Sequence, residues 1–502
     1  MSENGHAHLL PADVATSLGE TWVDGEGPLY AKLARSLHRA IDDGHLPGGS
    51  YLPSERVLAH TLFVSRSTVV AAYRTLREQG TLASRRGSGT WIRGRSGGAY
   101  GDEEALGTLA RDPYLSTVID TSSAPIDLTL PAPRAVLERI ATVLSRDTTW
   151  AGLRGDASPL GYQPRGLRSF RRFLAGYLSE RGLPTSEDEL LITNGGQQAI
   201  ALLISLFLRP HDQVMVENPS YRGLIDALIF SHAEALPLPI ESAHLPARID
   251  ELGRTTSPRL LYLTPTCHNP TGTTLDAETR RDIVRVAAKL EIPVVEDTVL
   301  ADLSLDDPPA QLATYARKPA SVIVVGSLSK IIWGGLRVGW VRAAPELISS
   351  LARLKAVADM GTSAISQLIA LELMRDHIDQ IIELQRGEVG ESLELASALL
   401  ATHVPEWQWR RPAGGRSLWI RLPRGEGREF AQFALLHGVA ISAGPTLSFD
   451  DDYQDHIRLQ FVQPKALLQE GARRLGDAWQ AFVASVADGS DHTGSARRLV
   501  RR

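Results

Sequence analysis

The stretch Val322-Ile323-Val324-Val325-Gly326-Ser327-Leu328-Ser329-Lys330 decides the fold of the larger part of this chain. Its opening run of valine and isoleucine predicts a buried strand, because β-branched side chains pack well on a pleated surface. The strand then runs into a glycine, two serines and a lysine. Ligands of open α/β sheets bind outside the carboxyl ends of the strands. We therefore expect Lys330 to lie in a ligand site at the edge of a sheet.

Four other apolar segments run into polar or turn-forming residues in the same way. They are residues 189–193 before Asn194-Gly195-Gly196-Gln197, 214–216 before Glu217-Asn218-Pro219-Ser220-Tyr221, 260–263 before the loop that contains Asn269-Pro270-Thr271-Gly272, and 292–296 before Asp297. Beyond Pro131 such segments alternate with helical patterns, which is typical of an α/β sheet. Several junctions of this kind at one edge indicate a site rather than chance.

The polar residues at these junctions suit the phosphate and the aldehyde of pyridoxal 5′-phosphate (PLP). Gly196 and Gln197 open a helix predicted to continue over 198–207, and free N–H groups at a helix start can hold a phosphate. Ser327 and Arg337 flank the lysine motif and would complete a phosphate clamp. The amine of Lys330 is available for a Schiff base.

Other junction residues suit the pyridine ring of the same cofactor. Asp297 can pair with a protonated ring nitrogen, the contact that makes PLP an electron sink. Tyr221 can stack on the ring face, and the amide of Asn269 can reach the ring hydroxyl. Each residue alone is more often structural, but their joint presence in this order favours a PLP site and no metal site.

Residues 125–480 resemble the class I aminotransferases, whose fold is PLP fold type I. The resemblance is carried by the lysine motif, the Asn-Pro-Thr-Gly motif and Asp297. It implies an α/β domain with a smaller α+β subdomain, and for the junction residues the roles given above. It also implies that Tyr162, in Gly161-Tyr162-Gln163-Pro164, reaches the phosphate of a neighbouring subunit in a head-to-tail homodimer. Arg458 would bind the carboxylate of a substrate or effector, the alternative being a surface arginine on a strand.

The sequence departs from the family pattern just after the aspartate. The family usually has a tyrosine there whose phenol contacts the ring oxygen and lowers the pKa of the aldimine. Here the residues read Asp297-Thr298-Val299-Leu300, without a phenol. We expect PLP binding to survive and efficient proton-transfer chemistry to suffer, so a physiological enzyme is not the favoured interpretation.

A basic segment lies near the amino terminus of a chain whose net charge is −5. Between Tyr51 and Arg95 there are eight arginines and only two acidic residues. A basic region on an acidic protein is the electrostatic footprint of nucleic-acid binding, although a solvated basic face is the alternative.

The same segment has the pattern of a winged helix. Apolar spacing predicts helices over 30–43 and 67–79, with Leu33, Leu37 and Ile41 inward in the first and Val69, Tyr73 and Leu76 inward in the last. Pro53-Ser54 offers an N-cap to a helix between them that carries Val57, Leu58 and Leu62 inward. Residues 81–92 form two alternating stretches around a glycine-rich turn, which predicts a β-hairpin.

Leu52-Pro53-Ser54-Glu55-Arg56, Val64-Ser65-Arg66-Ser67-Thr68-Val69 and Gly87-Ser88-Gly89-Thr90 resemble the GntR-type winged-helix head. On this resemblance the last helix enters the major groove of double-stranded DNA, while arginines of the second helix and the wing hold phosphates. The predicted DNA-contacting residues are Arg56, Arg66, Ser67, Thr68, Arg85, Arg86 and Gly87.

Domain boundaries and location follow from composition. We expect a DNA-binding domain at 25–94, a flexible Gly- and Ser-rich linker at 95–124, the PLP domain at 125–482 and a disordered basic tail at 483–502. A single cysteine, Cys267, excludes a disulfide framework and a cysteine-cluster metal site. Without an apolar run of membrane-spanning length or a secretory pattern, we expect a cytoplasmic protein with no membrane partner.

A winged-helix head fused to an aminotransferase-like body resembles the MocR subgroup of GntR-type regulators. The resemblance implies a transcription factor whose PLP-bound body responds to an amine, an amino acid or PLP itself. We hypothesise that an amino effector forms an external aldimine, frees Lys330 and engages Arg458. One alternative is a working aminotransferase with an accessory DNA-binding head. The other is a sensor of PLP in which Arg458 is idle.

Overall fold

The computed structural model describes residues 14, 17–18, 22, 28–42, 45–46, 50–62, 64–78, 81–85, 89–92, 126–132, 136–146, 160–240, 244–316, 322–450 and 452–487. The chain divides into two compact units, a head within residues 1–110 and a body within residues 111–502. The predicted linker at 95–124 lies outside the described residues.

The described part of the head consists of helices followed by a small sheet. Its elements are α1 (Leu29–Asp42), β1 (Tyr51–Leu52), α2 (Glu55–Thr61), α3 (Arg66–Glu78), β2 (Leu82–Arg85) and β3 (Gly89–Ile92). The strands pair antiparallel in the order β1-β3-β2. Strand β1 was not predicted; the helices and the hairpin were, and they confirm the winged helix.

The head has its own buried core. Leu33 and Leu37 of α1 and Val69 and Tyr73 of α3 are completely buried. The Tyr73 hydroxyl donates a hydrogen bond of 2.9 Å to the carbonyl oxygen of Pro53, which satisfies the polar end of a buried ring.

One residue predicted to face this core lies on the surface instead. Val57 is 46% exposed, whereas the adjacent Leu58 is completely buried. Successive helix residues point about 100° apart, so a short helix that buries Leu58 turns Val57 outward. Ser54 does cap this helix, accepting a hydrogen bond of 3.4 Å from the Val57 N–H.

The body is built on a seven-stranded sheet with the order β5-β11-β10-β9-β8-β6-β7. The strands are β5 (Leu190–Thr193), β6 (Gln213–Glu217), β7 (Glu234–Leu238), β8 (Leu260–Leu263), β9 (Val294–Asp297), β10 (Val322–Ser327) and β11 (Gly339–Arg342). Strand β11 is antiparallel to its two neighbours, and the other pairs are parallel. The carboxyl ends of the parallel strands therefore meet at one edge.

A smaller antiparallel sheet forms the second layer of the body, in the order β12-β13-β16-β15. Its strands are β12 (Gln408–Trp409), β13 (Ser417–Arg421), β15 (Ser442–Ala443) and β16 (His456–Gln460). Beside it β4 (Ile126–Asp127) pairs in parallel with β14 (Val439–Ala440). This arrangement confirms the predicted α/β domain with a smaller α+β subdomain.

The helices of the body pack on both faces of the large sheet and beside the smaller sheet. They are α4 (Leu137–Leu144), α5 (Arg168–Glu180), α6 (Gly195–Phe207), α7 (Arg222–Phe230), α8 (Leu245–Thr255), α9 (Ala277–Lys289), α10 (Leu312–Tyr315), α11 (Pro345–Ala358), α12 (Ala364–His403), α13 (Gly427–Leu436) and α14 (Lys465–Ala487). Helices α6, α7 and α11 pack on one face, and α8 and α9 on the other. No helix in the described ranges is long and apolar enough to cross a membrane.

The last helix extends past the predicted domain end at residue 482. Residues 483–487, predicted to belong to a disordered tail, are helical. That prediction was wrong because Val483 packs against the core beside the buried Phe482. The remainder of the predicted tail, 488–502, lies outside the described residues.

Candidate functional site

The carboxyl-terminal edge of the large sheet gathers the residues that the sequence singles out. The carboxyl ends of β5, β6, β8, β9 and β10, or the turns that follow them, carry, respectively, the glycine pair, Tyr221, Asn269, Asp297 and Lys330. These strands run parallel, so residues up to 135 positions apart in the sequence come to one edge.

The start of helix α6 forms a cradle of main-chain N–H groups. The helix begins at Gly195, directly after β5, with Gly195 at a φ of 75°, a value that favours glycine. Arg337 donates from Nη2 to the carbonyl oxygen of Asn194, which brings its guanidinium to the cradle. The side chain of Gln197 donates a hydrogen bond of 2.7 Å to the carbonyl oxygen of Gly223, which leaves its main-chain N–H as the group that the first turn of α6 can offer to a ligand.

Behind the cradle lies a hydrogen-bond network that the sequence does not reveal. Oδ2 of Asp359 accepts from Asn194 Nδ2 and Gln198 Nε2, both at 2.6 Å, and from Lys355 Nζ at 2.8 Å. Lys355 is completely buried. Burial alone would raise the pKa of Asp359, but its hydrogen bonds to Gln198 and Lys355 outweigh burial and lower that pKa. A charged pair thus holds the first turn of α6 in place.

Asp297, the last residue of β9, is held from the neighbouring strand. Its Oδ2 accepts a hydrogen bond of 2.6 Å from the Tyr262 hydroxyl, and its Oδ1 accepts 2.9 Å from the Val299 N–H. Burial raises the pKa of Asp297, while the Tyr262 hydrogen bond and the charge of Lys330 oppose that rise. Tyr262 was missed at the sequence level. The available signal was a tyrosine inside an apolar strand, because a buried hydroxyl needs a partner.

Lys330 follows β10 in a turn that is bound to the smaller sheet. Its carbonyl oxygen accepts a hydrogen bond from Arg416 Nη2. Burial lowers the pKa of the Lys330 amine to about 8, helped by the charges of Arg416, Arg458 and Arg337 and opposed by Asp297. An amine with such a pKa is partly unprotonated near neutral pH and is therefore a competent nucleophile.

Arg458, in β16, lies inside the protein rather than on its surface. It is 3% exposed, and its Nη2 donates 3.1 Å to the carbonyl oxygen of Thr129 and 3.0 Å to Ser442 Oγ. Its Nη1 lies 3.5 Å from Asn269 Oδ1. The structure thus brings Arg458 to the residue predicted to face the ring hydroxyl.

Ser327, at the end of β10, is also at the edge, whereas Tyr162 is not. Ser327 Oγ lies 3.0 Å from Ser329 Oγ and 3.2 Å from the Val338 carbonyl oxygen. Tyr162 is 61% exposed and makes no hydrogen bond to the site residues in the described part of its own chain.

The exposed face of α3 is the candidate DNA-contacting surface of the head. Arg66, Ser67, Val70 and Arg74 are exposed on it and line a shallow groove together with Ala71. Ser65 caps the helix: its Oγ accepts 3.1 Å from the Thr68 N–H.

Several predicted DNA contacts can be placed only in part. The Thr68 hydroxyl lies 2.8 Å from Ser65 Oγ, so Thr68 helps to form the cap that presents Arg66 and Ser67. The main chains of Arg56 and Arg85 lie in α2 and β2, and Arg86 and Gly87 lie outside the described residues.

The body matches a known protein family. Residues 142–475 match the model of the aminotransferases of class I and II. The chain belongs to this family. A solved structure of LysN, the α-aminoadipate aminotransferase of Thermus thermophilus complexed with N-(5′-phosphopyridoxyl)-L-leucine, superposes with a TM-score of 0.68 at 26% identity. The match covers 76% of this chain and 97% of that one.

The head of this aminotransferase-family chain matches a second model. Residues 29–92 match the gntR family of bacterial regulatory proteins. The uncharacterized HTH-type transcriptional regulator YdfD of Bacillus subtilis is 28% identical over 89% of this chain and 96% of its own length. The probable rhizopine catabolism regulatory protein MocR of Rhizobium meliloti is 25% identical over 95% and 98%. These matches confirm the MocR-type combination of a GntR head with an aminotransferase body.

The site of this MocR-type chain fits PLP, the cofactor of the aminotransferase family. A Cβ at Gly195 would lie 3.2 Å from the Arg337 guanidinium, and one at Gly196 would lie 3.0 Å from Val299 Cγ2. The cradle therefore has room for a phosphate because both positions lack side chains. A buried carboxylate and an amine of lowered pKa complete the donor set.

Val299 places an apolar side chain beside the cradle. Its isopropyl group stands against Gly196, and its N–H donates to Asp297. This side of the site is therefore apolar and lacks a hydroxyl donor at residue 299.

Proposed function

We propose that this chain is a PLP-dependent transcriptional regulator that binds PLP as a Schiff base at Lys330 and responds to an amino compound. The observation that carries the proposal is the convergence of Lys330, Asp297 and the α6 cradle at one sheet edge, with Arg458 of the smaller sheet beside Asn269, in a chain that also has a GntR head. A ligand can switch a two-domain regulator only if it binds one conformational state of the protein more tightly than the other. A covalent cofactor site provides a means of binding one state selectively.

The chain's own residues are suited to hold PLP. The main-chain N–H groups of Gly196 and Gln197, together with Ser327 and Arg337, would bind the phosphate. PLP supplies an electrophilic aldehyde and an electron-withdrawing ring. Asp297 would face the ring nitrogen, with Tyr262 keeping its carboxylate oriented and charged.

Other residues would contact the rest of the ring and its substituents. Tyr221 precedes α7 and is half buried against the core of the large sheet, a position suited to stacking on the ring. Asn269 would contact the ring hydroxyl, and the unprotonated amine of Lys330 would form the covalent bond.

Arg458 would recognise the carboxylate of the effector. Its guanidinium is buried, and its acceptors include neutral oxygens of Thr129, Ser442 and Asn269. A carboxylate would bind such a cation with charge-assisted hydrogen bonds, which are about twice as strong as neutral ones. An amino acid bound at this site would lie between Lys330 of the large sheet and Arg458 of the smaller sheet.

The head would bind double-stranded DNA through α3. Arg66 and Ser67 are exposed at the amino-terminal end of that helix, where recognition helices contact base edges. Arg56, Arg85, Arg86 and Gly87 would contact phosphates, which position the protein without reading sequence.

We also propose a head-to-tail homodimer with shared sites. Leu160 and Tyr162 are 80% and 61% exposed, and Gln163 pairs with Gly361 beside Met360, which is 52% exposed. Exposed apolar side chains in one region are typical of protein–protein interfaces. In such a dimer Tyr162 would reach the partner's phosphate.

A second candidate function is that of a working aminotransferase with an accessory head. The observation that favours it is the buried Arg458 beside Asn269, an arrangement that would serve a substrate as well as an effector. The apolar Val299 favours the regulator, because proton transfer at the cofactor would lack a phenol at residue 299.

Measurements with the full-length holoprotein separate these functions. Operator-sized DNA fragments are titrated in the absence of PLP, with PLP, and with PLP plus panels of amines and amino acids. A regulator changes its DNA affinity with an amino compound, whereas a sensor of PLP alone changes it with the cofactor only. Turnover of amino acids at ordinary enzyme rates without DNA binding would exclude the regulator. Lys330→Ala should abolish the Schiff-base absorbance, and its persistence would exclude Lys330 as the attachment point.

A further inference from the structure

Arg416 is a buried cation next to the lysine turn that no predicted role includes. It directly follows the Pro412–Gly415 turn, precedes β13, and is 5% exposed. It forms no ion pair with a carboxylate of the described residues, and its Nε has no hydrogen-bond partner there. Burial lowers its pKa to about 10, with Glu388 as the acid whose charge opposes that shift. Arg416 therefore remains charged at neutral pH.

The guanidinium of Arg416 connects Lys330 to the smaller sheet. Its Nη2 donates to the Lys330 carbonyl oxygen and, at 2.9 Å, to Gln385 Oε1 of α12. The carbonyl oxygen of Arg416 accepts a hydrogen bond of 2.9 Å from the N–H of Phe461, the residue that follows β16. This bond fixes the main chain of Arg416. The next residue, Ser417, donates 3.0 Å from Oγ to the Pro270 carbonyl oxygen. The beginning of β13 thus contacts two of the cofactor-site loops.

We propose that Arg416 is a positioning residue for Lys330: it fixes the main chain of the lysine turn and, as a buried cation without an ion pair in the described residues, keeps the lysine amine nucleophilic. This inference rests on the proposed Schiff base at Lys330. Its physical basis is that a nearby positive charge in a poorly hydrated site disfavours a second one.

The charges that face Lys330 come from several elements. Arg416 precedes β13, Arg458 lies in β16 and Arg337 follows the lysine turn, while Asp297 at the end of β9 is the opposing negative charge. Burial has the largest effect on the pKa of Lys330. Among the nearby charged groups, Arg416 lowers that pKa the most. Arg337 and Arg458 have proposed anionic ligands that would neutralise them, and Arg416 has none.

The test measures the pH dependence of Schiff-base formation. Full-length protein freed of PLP is mixed with PLP, and the rate of appearance of the Schiff-base absorbance is followed from about pH 6 to 10, a range that brackets the lowered pKa of the amine. The wild-type rate should rise with a midpoint near 8, the pKa to which burial and charge lower Lys330. Arg416→Met should move the midpoint upward by about one pH unit, so that the rate at pH 7 falls about tenfold. Arg416→Lys should retain a midpoint near that of the wild type.

Controls distinguish charge from structure. Arg411→Met removes an exposed arginine that is paired with Glu394 and should leave the midpoint unchanged. Arg416→Gln, a second neutral variant, replaces Arg416→Met if the latter does not fold. An unshifted midpoint in a folded neutral variant, or an equal shift in Arg416→Lys, would overturn the role of Arg416. A Schiff-base band that persists in Lys330→Ala would instead overturn the proposed attachment point.

Discussion

Tyr262 and Asp297, on adjacent strands of the large sheet, share a hydrogen bond of 2.6 Å in which the phenol donates to the carboxylate. Both side chains are buried, at 2% and 7% exposure. Because a buried carboxylate resists ionisation, the phenol is what favours the charged form that a protonated ring nitrogen requires. The strand pairing of β8 with β9 thus sets the electrostatics of the proposed cofactor site.

Replacing the phenol tests this relationship. In Tyr262→Phe the pKa of Asp297 should rise, because a hydrogen bond to its charged form is lost. PLP affinity should fall about tenfold, given that a hydrogen bond to a charged group contributes roughly 1.5–3 kcal/mol. The loss should be greater at pH 6 than at pH 8, since the carboxylate becomes protonated as the pH falls. Tyr177→Phe, in α5, is the control, and equal losses at both pH values would contradict the explanation.

Restoring the phenol of the family pattern tests the role of Val299. Val299→Tyr should speed the conversion of an amino acid substrate on the holoprotein by about tenfold or more, the range expected for a positioned proton-transfer group. Val299→Phe adds a ring without the hydroxyl and should give no such gain. The measurement is the single-turnover rate with amino acids in excess. Similar rates for the two variants would show that the phenol is not what limits the chemistry.

The pair of Lys355 and Asp359 should stabilise the fold as well as the cradle. Lys355→Met leaves Asp359 without its cation, and we expect a loss of about 2–3 kcal/mol in the free energy of unfolding, measured with urea. Because the folded state lowers the pKa of Asp359, its contribution is present at neutral pH and disappears as the pH falls below about 4. The acid sensitivity of the variant should therefore be smaller than that of the wild type.

The control for that loss is an exposed ion pair of the same type. Lys289 Nζ lies 3.6 Å from Asp250 Oδ1 at the surface. Lys289→Met should change stability by less than about 1 kcal/mol. A loss as large as that of Lys355→Met would mean that burial is not the cause.

Arg66 should carry sequence information in DNA binding. Arg66→Ala should weaken binding to an operator by about 1–3 kcal/mol and relax the preference at one base position. Arg39→Ala, an exposed arginine on α1, is the matched control in the same unit. Gel-shift titrations against operator and scrambled DNA measure both the loss of affinity and the change in sequence preference. A uniform loss on both DNAs would identify Arg66 as a phosphate contact instead.

Replacing Arg458 should weaken effector binding and leave cofactor binding intact. Arg458→Gln should retain the Schiff-base absorbance, because Arg458 is not among the phosphate or ring contacts. Its affinity for amino acids should fall by roughly 10- to 100-fold, while amines without a carboxylate should bind as before. Absorbance titrations with alanine and with ethylamine make the comparison. Equal losses for both ligands would show that Arg458 acts through the fold.

The sequence was sufficient for the parts of the structure that depend on neighbouring residues. Strand ends at Thr193 and Leu263, the helix after Gly195 and the winged-helix pattern follow from local periodicity and turn chemistry. Val57 was misplaced because the facing of a short helix changes with a shift of one residue. Residues 483–487 were misplaced because nothing in the local sequence shows that Val483 packs against the core.

The sequence by itself determined the fold class and pointed to the cofactor of the family, because both are encoded in motifs of a few consecutive residues. Only the tertiary structure decided which side chains support them. The hydroxyl of Tyr262 donates a hydrogen bond to Asp297. The pair of Lys355 and Asp359 holds Asn194 in place through a hydrogen bond to its side chain. Arg416 binds the lysine turn, from which it is separated by 86 residues of sequence. Hydrogen bonds and charges act through space, so their partners are set by strand order and helix packing rather than by spacing along the chain.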